Sequence, residues 1–336
     1  MRRRIQLILF QWLTLTAVPV AQDIHFLHFS GTGPLLSPAE AGQGKGGLRF
    51  TLGHRSQWAS VTTPFLSNYM TFDASLREGR KGPGIGLGIS MQQDEAGDAD
   101  FGTTGAMFHL ALDAALSRTQ RIIMGAGAGM MQRRFDREAL NFDEQFNGLV
   151  YDPDIIPMDL LGEGPLNFVD LSLGVAWIHT LNEREYRRGG LAVHHPHRPL
   201  ISFLADNEVR LDRRWTAYFM GSWPLGTQWS VMPETRLMSQ GPYVEWVVGG
   251  WFNRSEAGAF PEELGVDAGV FTRAGDALIL ALGGDLRAWH AAMSYELNYS
   301  GLRRASAWRG GYELNLVYQL GRLAPGLRRN PGCYIL

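Results

Sequence analysis

The chain has 336 residues, with 31 Lys and Arg against 33 Asp and Glu, and charged residues make up only 19 %. A near-neutral chain whose basic residues are spread along it, in no run longer than Arg2–Arg4, argues against a nucleic-acid footprint, and one cysteine, Cys333, excludes an intramolecular disulfide or a thiolate metal centre. Glycine is abundant, 41 residues, or about 12 % against a typical ~7 %; with many aromatics and no long apolar run, this composition points to an all-β membrane protein.

Met1–Ala21 reads as a secretory signal peptide: Arg2–Arg4, an apolar run from Ile5 to about Leu15, then Ala17-Val-Pro-Val-Ala21. Cleavage after Ala21 leaves 28 basic residues against 33 acids, a net charge of −5. Residues 22–46 follow as an extended, turn-rich segment that either plugs a barrel or lies beneath it.

From residue 47 almost to the end, apolar and polar side chains alternate with period two. Successive side chains of a strand point to opposite faces, so each stretch has one oily and one wet face. Leu48, Phe50 and Leu52 oppose Arg49 and Thr51; Met70, Phe72, Ala74 and Leu76 oppose Tyr69, Thr71, Asp73 and Ser75. Ile85–Met91 alternates with glycine and serine, Ala106–Leu116 turns His109 and Asp113 inward, and Ile122–Met130 has an inward row mostly of glycine. Val169–Trp177, a weaker stretch at Gly189–His194, Leu211–Gly221, Trp229–Leu237, Val244–Phe252, Leu264–Thr272 and Leu278–Leu282 continue the series. The pair at Trp289–Tyr299 and Tyr312–Leu320 closes it, with aromatic residues near both ends as in interfacial girdles. Pro233, in mid-strand, predicts a bulge or a changed register, and Arg213 would face lipid unless it sits at the interface.

A soluble antiparallel sheet also alternates, but two features favour a barrel. The oily faces of the best strands carry no charge, whereas the wet faces carry Arg49, Arg55, Asp73, His109, Asp113, Asp170, Glu245, Asp267, Glu296 and Glu313. A lipid-facing charge costs about 2–4 kcal/mol at the bilayer midplane, while an inward one is hydrated or paired. Connections also alternate in length: Ser117–Gln120 and Asp285–Arg287 are short, Arg134–Leu166 long. The expectation is an all-β, antiparallel up-and-down transmembrane β-barrel of about 14 strands over 47–320. A periplasmic N-terminal or plug segment precedes it and a short C-terminal tail over 321–336 follows, all in the bacterial outer membrane, in contact with its lipid. The ten inward residues are candidates for a lumen network. The acids Asp136, Glu138, Asp143, Glu144 and Asp152 of the long loop are candidates for a partner-binding surface, against the alternative of a solvated lid.

Other chemistry is weakly supported. His194-His195-Pro196-His197 holds imidazoles, but adjacent residues of a strand point to opposite faces, so a metal site is not expected. His109 and Asp113 share a face and could orient each other, yet no serine is predictable beside them. Gly84-x-Gly-x-Gly88 and Gly125-x-Gly-x-Gly129 lack the strand-then-helix context of a phosphate loop; inward glycines make room for a plug or a bent strand. No cofactor and no enzymatic activity are expected.

Several phrases resemble the PorP/SprF family of type IX secretion outer-membrane proteins. Gln22-Asp23, Phe26, Phe29, Pro34-Leu-Leu-Ser-Pro-Ala39 and Gly42 match its opening, with Ser37 for the usual Asn. His54-Arg55-Ser-Gln57-Trp58 matches its first-strand phrase except at the first position, and Asp94-Glu-Ala-Gly97 resembles a family turn. Tyr151-Asp-Pro153, Phe168-Val-Asp170, His194–Pro199, Asp276-Ala-Leu-Ile, Ser294-Tyr-Glu-Leu-Asn and Gly310-Gly-Tyr-Glu-Leu resemble later phrases in the same order. The family's Cys-Pro tail is only partly kept, as Cys333 after Pro331. The resemblance implies a 14-stranded barrel assisting export or surface retention of proteins with a C-terminal signal domain, in some members gliding adhesins. It also implies association with other components of the secretion machine. The alternatives left by the residues are a passive or selective solute channel and an outer-membrane enzyme built on His109 and Asp113.

Overall fold

The computed structural model describes residues 23–44, 47–77, 83–97, 99–136, 139–140, 145–146, 148, 150–152, 164–182, 184–203, 208–255, 264–301 and 303–320. The signal segment, the 321–336 tail with Cys333, and the loop acids Glu138, Asp143 and Glu144 lie outside them.

Fourteen strands form one closed antiparallel barrel in which each strand pairs with its sequence neighbours and the first with the last. They are β1 Leu48–Gln57, β2 Phe65–Arg77, β3 Gly84–Ala96, β4 Phe101–Ala115, β5 Gln120–Arg134, β6 Leu166–Thr180 and β7 Tyr186–His194. The second half comprises β8 Arg214–Leu225, β9 Trp229–Gln240, β10 Tyr243–Ser255, β11 Leu264–Arg273, β12 Ala277–Leu286, β13 Trp289–Asn298 and β14 Arg309–Leu320. One short helix, α1 (Arg303–Ser306), sits in the β13–β14 connection. Closure matters because hydrocarbon offers no partner to an edge N–H or C=O; only a barrel leaves no edge. The seam is fully registered, from Leu48 opposite Leu320 to Ser56 opposite Tyr312.

The end where β1 begins and β14 stops is called lower here. The lower connections are short, and the upper ones include the long β5–β6 and β7–β8 connections. Side chains follow the period of two. Leu76, Ile85, Leu87, Phe108, Leu110, Met124, Val169 and Leu282 are exposed on the outside, while Arg49, Thr51, Asp73, Ser90, Asp170, Glu296 and Glu313 are buried inside. Outward aromatics pair across strands at the lower end, Trp289 with Tyr318 at 4.4 Å between rings and Trp229 with Phe252 at 4.7 Å. A polar row marks the upper rim of the outer wall: His54 Nδ1 lies 2.8 Å from Asn68 Oδ1, and Gln132 Nε2 donates to Asn167 Oδ1 at 3.0 Å.

Three local expectations change. Pro233 causes no shift: it stands outward opposite Gly250, and β9 keeps one register with β8 on either side of an unpaired stretch opposite Gly221 and Ser222. The missing donor falls where that ladder is interrupted. The strand expected from Leu211 begins at Arg214; Leu211 belongs to the β7–β8 connection and is buried, and Arg213 lies just beyond the strand, its Nε donating to Pro196 O at 2.8 Å. A bulge does occur, unforeseen, between Tyr295 and Leu297 in the β13–β14 ladder.

Depth along the outer wall gives a direct check. Phe108, mid-way along β4, is 67 % exposed; Phe108→Arg should cost about 2–4 kcal/mol and Thr104→Arg, nearer the rim, about 0–1 kcal/mol. Equilibrium unfolding from lipid vesicles, read by the heat-sensitive gel shift of folded barrels, measures both.

Candidate functional site

The lumen is filled by the chain's own N-terminal segment, residues 23–44, so the site is the contact between this plug and the inner wall. The plug has little regular structure: two single 3-10 turns, Gly33–Leu35 and Pro38–Glu40, each with a proline at its start. Ser37 caps the second, its Oγ accepting from Ala39 N at 3.3 Å. Such a segment leaves many backbone groups unpaired, and buried ones need partners. The wall supplies them.

At the upper end the Asp23 carboxylate meets the His195 ring and lies 3.3 Å from Arg214 Nη1, while Asp23 N donates to Gln240 Oε1 at 3.0 Å. Below this, carbonyls of Ile24, His25 and Phe26 accept from Arg214 (3.1 Å), Arg55 and Arg236 (2.6 Å). Glu313 spans two amides, its Oε2 accepting from Leu27 N at 2.6 Å and its Oε1 from His28 N at 2.9 Å. In mid-lumen Leu27, Phe29 and Leu36 pack with Tyr218, Met220, Met232, Val247, Trp251, Phe271 and Ile279. At the lower end Glu40 takes Arg188 Nη1 and the Tyr218 hydroxyl, each at 2.5 Å, and its carbonyl accepts from Arg49 Nη2 at 3.2 Å. Arg188 also donates to Gln43 O at 3.1 Å, and Gly42 N donates to Asp73 Oδ2 at 2.8 Å. The plug therefore runs the whole lumen, from the upper ends of β8 and β9 to the lower ends of β1 and β7.

Each arginine of this set serves two acceptors. Arg49 holds Asp73 (Nε–Oδ1 2.8 Å), Arg55 holds Glu296 (2.7 Å), and Arg236 holds Glu245, all buried, while the same guanidiniums reach plug carbonyls. The planar fork of Arg suits this double use. Charge-assisted bonds are shorter and stronger than neutral ones, and breaking a buried pair by removing one partner costs about 3–5 kcal/mol.

Glycines on the wall set the depth of the plug. A Cβ on Gly125 would lie 2.2 Å from Ala39 N, and one on Gly86 2.0 Å from Ala41 O, so the lower plug rests directly on wall backbone. Gly42 adopts φ +70°, and its own Cβ would meet Ala74 O at 2.6 Å.

All ten inward candidates face this lumen, but they form several groups. Arg49 with Asp73, Arg55 with Glu296, and Glu245 and Glu313 contact the plug. Asp170 reaches it through His195 (Oδ1–Nδ1 2.6 Å). Asp267 lies beside Asn253 and His290 at the lower end of β11–β13. His109 and Asp113 are not brought together: Asp113 pairs with Arg121 at 2.5 Å, and His109 Nε2 lies 2.8 Å from Ser90 Oγ, a serine the sequence did not disclose because it comes from β3. The three loop-region histidines diverge, His194 to Leu36 O, His195 to two aspartates and His197 to Val169 O. Of the loop acids, Asp136 N donates to Ala99 O and Asp152 N to Gln145 O, both at 2.7 Å. The sequence did not reveal Glu40, Arg188, Arg214 and Arg236 as plug anchors. A signal existed, since an arginine on the wet face of a strand implies a carboxylate or carbonyl opposite it. A second insertion was also missed: Ile201 and Leu211 of the β7–β8 connection pack on inward Met107, Met131 and Phe168.

A model of the type IX secretion system membrane protein PorP/SprF family matches residues 20–318. The chain belongs to that family. No curated protein sequence matches. Among solved structures, similar barrels include the Ralstonia pickettii toluene transporter TbuX (11 % identity, 84 % of this chain and 92 % of that one, TM-score 0.48). The P. putida toluene transporter TodX (10 %, 85 % and 93 %, 0.48) and CdiB from Acinetobacter baumannii (11 %, 81 % and 60 %, 0.43) are others. The likeness to these three stops at the architecture. In this PorP/SprF protein the lumen belongs to the plug: two cavities beside it have about 30 Å³ each, room for a water or two.

The upper latch is ionic and pH-dependent. Burial pushes the Asp23 carboxyl up, but the charges of His195 and Arg214 outweigh it and hold it well below the usual carboxylate range. Burial pushes the His195 imidazole down, but Asp23 and Asp170 outweigh it and raise it to about 9. A raised His contributes stability that is complete below about pH 6.5 and lost as pH climbs through its folded value; a lowered Asp contributes above about pH 3.8 and fails only in stronger acid. In an Ile24→Cys, Cys333→Ser protein, thiol labelling should be slow from about pH 4 to 6.5 and several-fold faster above the His195 value, after correction for thiolate ionisation with an exposed cysteine control. At the other end, Arg188→Ala leaves Glu40 buried and unpaired and should destabilise the plug by about 3–5 kcal/mol, read as protease cleavage within residues 23–44 while the barrel stays intact.

Proposed function

We propose that this outer-membrane PorP/SprF barrel acts by holding protein partners: a secreted protein with a C-terminal signal domain at its upper end, and other type IX secretion components at its lower end. In this orientation the lower end, with its short turns, faces the periplasm and the long β5–β6 and β7–β8 connections face outward, as in bacterial barrels generally. The Asp136–Asp152 stretch, with five acids in the sequence, then offers an anionic surface to a partner.

The observation that carries this reading is the plug. A barrel of 14 strands has space for a lumen, but here that space holds a segment tied to the wall at both ends by buried charge. Holding a partner needs no open path for solute, whereas a passive channel does. Long connections on a rigid scaffold are where recognition resides in many folds.

Affinity capture from membranes in mild detergent, with the tag in the β8–β9 turn, should recover a large surface protein through its C-terminal domain together with secretion-machine subunits. The purified barrel should show no steady conductance in planar bilayers. Recovery of the barrel alone, with stable wild-type conductance, would instead establish a solute channel.

A further inference from the structure

At the lower end of the lumen, three adjacent strands bring Asp267 (β11), Asp285 (β12) and His290 (β13) together, away from the plug anchors. Asp285 stands opposite both Gly265 and His290 in the ladders. His290 Nδ1 lies 3.1 Å from Asp285 Oδ1 and 3.8 Å from Asp267 Oδ2, and the three donor atoms are all within 4.8 Å of one another. Asp267 is 0 % and His290 7 % exposed.

We propose that Asp267, Asp285 and His290 form a binding site for one divalent transition-metal cation, Zn²⁺ or Mn²⁺, at the lower mouth of the barrel. The argument begins with a contrast inside the molecule. At the upper latch, His195 offers one ring nitrogen to each of two carboxylates, Nδ1 to Asp170 and Nε2 to Asp23, the arrangement of an imidazolium in an ion pair. At His290 both carboxylates converge on the same nitrogen. One N–H points in one direction, so it cannot serve both well, and two carboxylates this close repel each other, the more so because Asp267 is fully buried. A cation between the three atoms removes both problems. Donors about 2.1 Å from one metal and about 100–130° apart are separated by about 3.2–3.8 Å, close to the spacings from Nδ1.

The surroundings fit the same reading. Asn253 Nδ2 donates to the other oxygen of Asp267 at 2.6 Å, which orients Oδ2 toward the cluster, as outer partners orient metal carboxylates. Glycines clear the floor: a Cβ on Gly265 would lie 2.9 Å from Asp285 Oδ2, and one on Gly283 3.4 Å from His290 Cε1. One imidazole nitrogen with two carboxylate oxygens suits Zn²⁺ or Mn²⁺ better than Ca²⁺ or Mg²⁺, which favour all-oxygen sets. Asp285 is only partly buried, which opens the site to solvent for entry and for a completing water. Bound metal would join three consecutive strands.

The test uses the full barrel purified in detergent, stripped with EDTA and titrated with ZnCl₂ by calorimetry, with MnCl₂ titrated by electron spin resonance. The expected result is one cation per chain, with affinity reduced at least 100-fold in both His290→Gln and Asp285→Asn and unchanged in His197→Ala. The heat-sensitive gel shift confirms that each variant is folded. Folded wild type that binds neither cation would overturn the proposal. So would folded His290→Gln and Asp285→Asn barrels that bind as tightly as wild type.

Discussion

The structure depends on satisfying backbone hydrogen bonds twice, once in the wall and once inside it. The wall solves the problem as any membrane barrel must, by closing β1 on β14. The plug then raises it again, because its 22 residues contain no strand or α-helix in which their backbone could pair. The answer is side-chain chemistry. Arg214, Arg55, Arg236, Arg49 and Arg188 donate to five plug carbonyls, and Glu313 accepts from two plug amides. Strand alternation delivers those side chains inward without placing a charge in lipid.

This explains why the inner wall is so rich in ion pairs. A buried pair is a weak source of net stability, since desolvation offsets most of its attraction. Here the acids have another use. Asp73, Glu296 and Glu245 neutralise arginines whose remaining N–H groups are directed at the plug. The pairs specify where the plug lies. Glycines at 86 and 125 specify how deep, because any side chain there would push the 39–41 turn off the wall. Apolar packing of Phe29 and Leu36 fills the section between the two charged ends.

The wall was legible in the sequence to an unusual degree, because its governing rule is local. A period of two assigns Leu87 outward and Asp73 inward with no knowledge of neighbours. The rule fails where structure stops being local. Leu211 looks like the outward start of a strand, yet it belongs to a connection that folds inward and packs it against Met131. Pro233 looks disruptive, but its lack of an N–H matters only on the side where the ladder is already broken. The site was harder to read. Arg188 and Glu40 are 148 residues apart, and Ser90 meets His109 across a ladder whose register no single strand encodes. Residues 22–46 read equally as a plug or as an underlying segment, because composition does not say which wall charges will be free to bind backbone.

The position of the anchors ties the plug to the integrity of the barrel. Arg55 belongs to β1, Glu313 to β14 and Glu296 to β13, so the grip on residues 25–28 spans the seam where the first and last strands meet. Arg49 and Asp73 repeat the pattern lower down on β1 and β2, beside Glu40 and Gly42. An open seam would separate Arg55 from Glu313 and leave the amides of Leu27 and His28 without their acceptor. An absent plug would leave Glu313 and several guanidiniums facing an empty lumen, where only water could replace the lost bonds. Closing the seam and docking the plug therefore draw on the same side chains. Loosening the plug removes side-chain bonds that bridge β1 and β14 beside the backbone ladder of the seam.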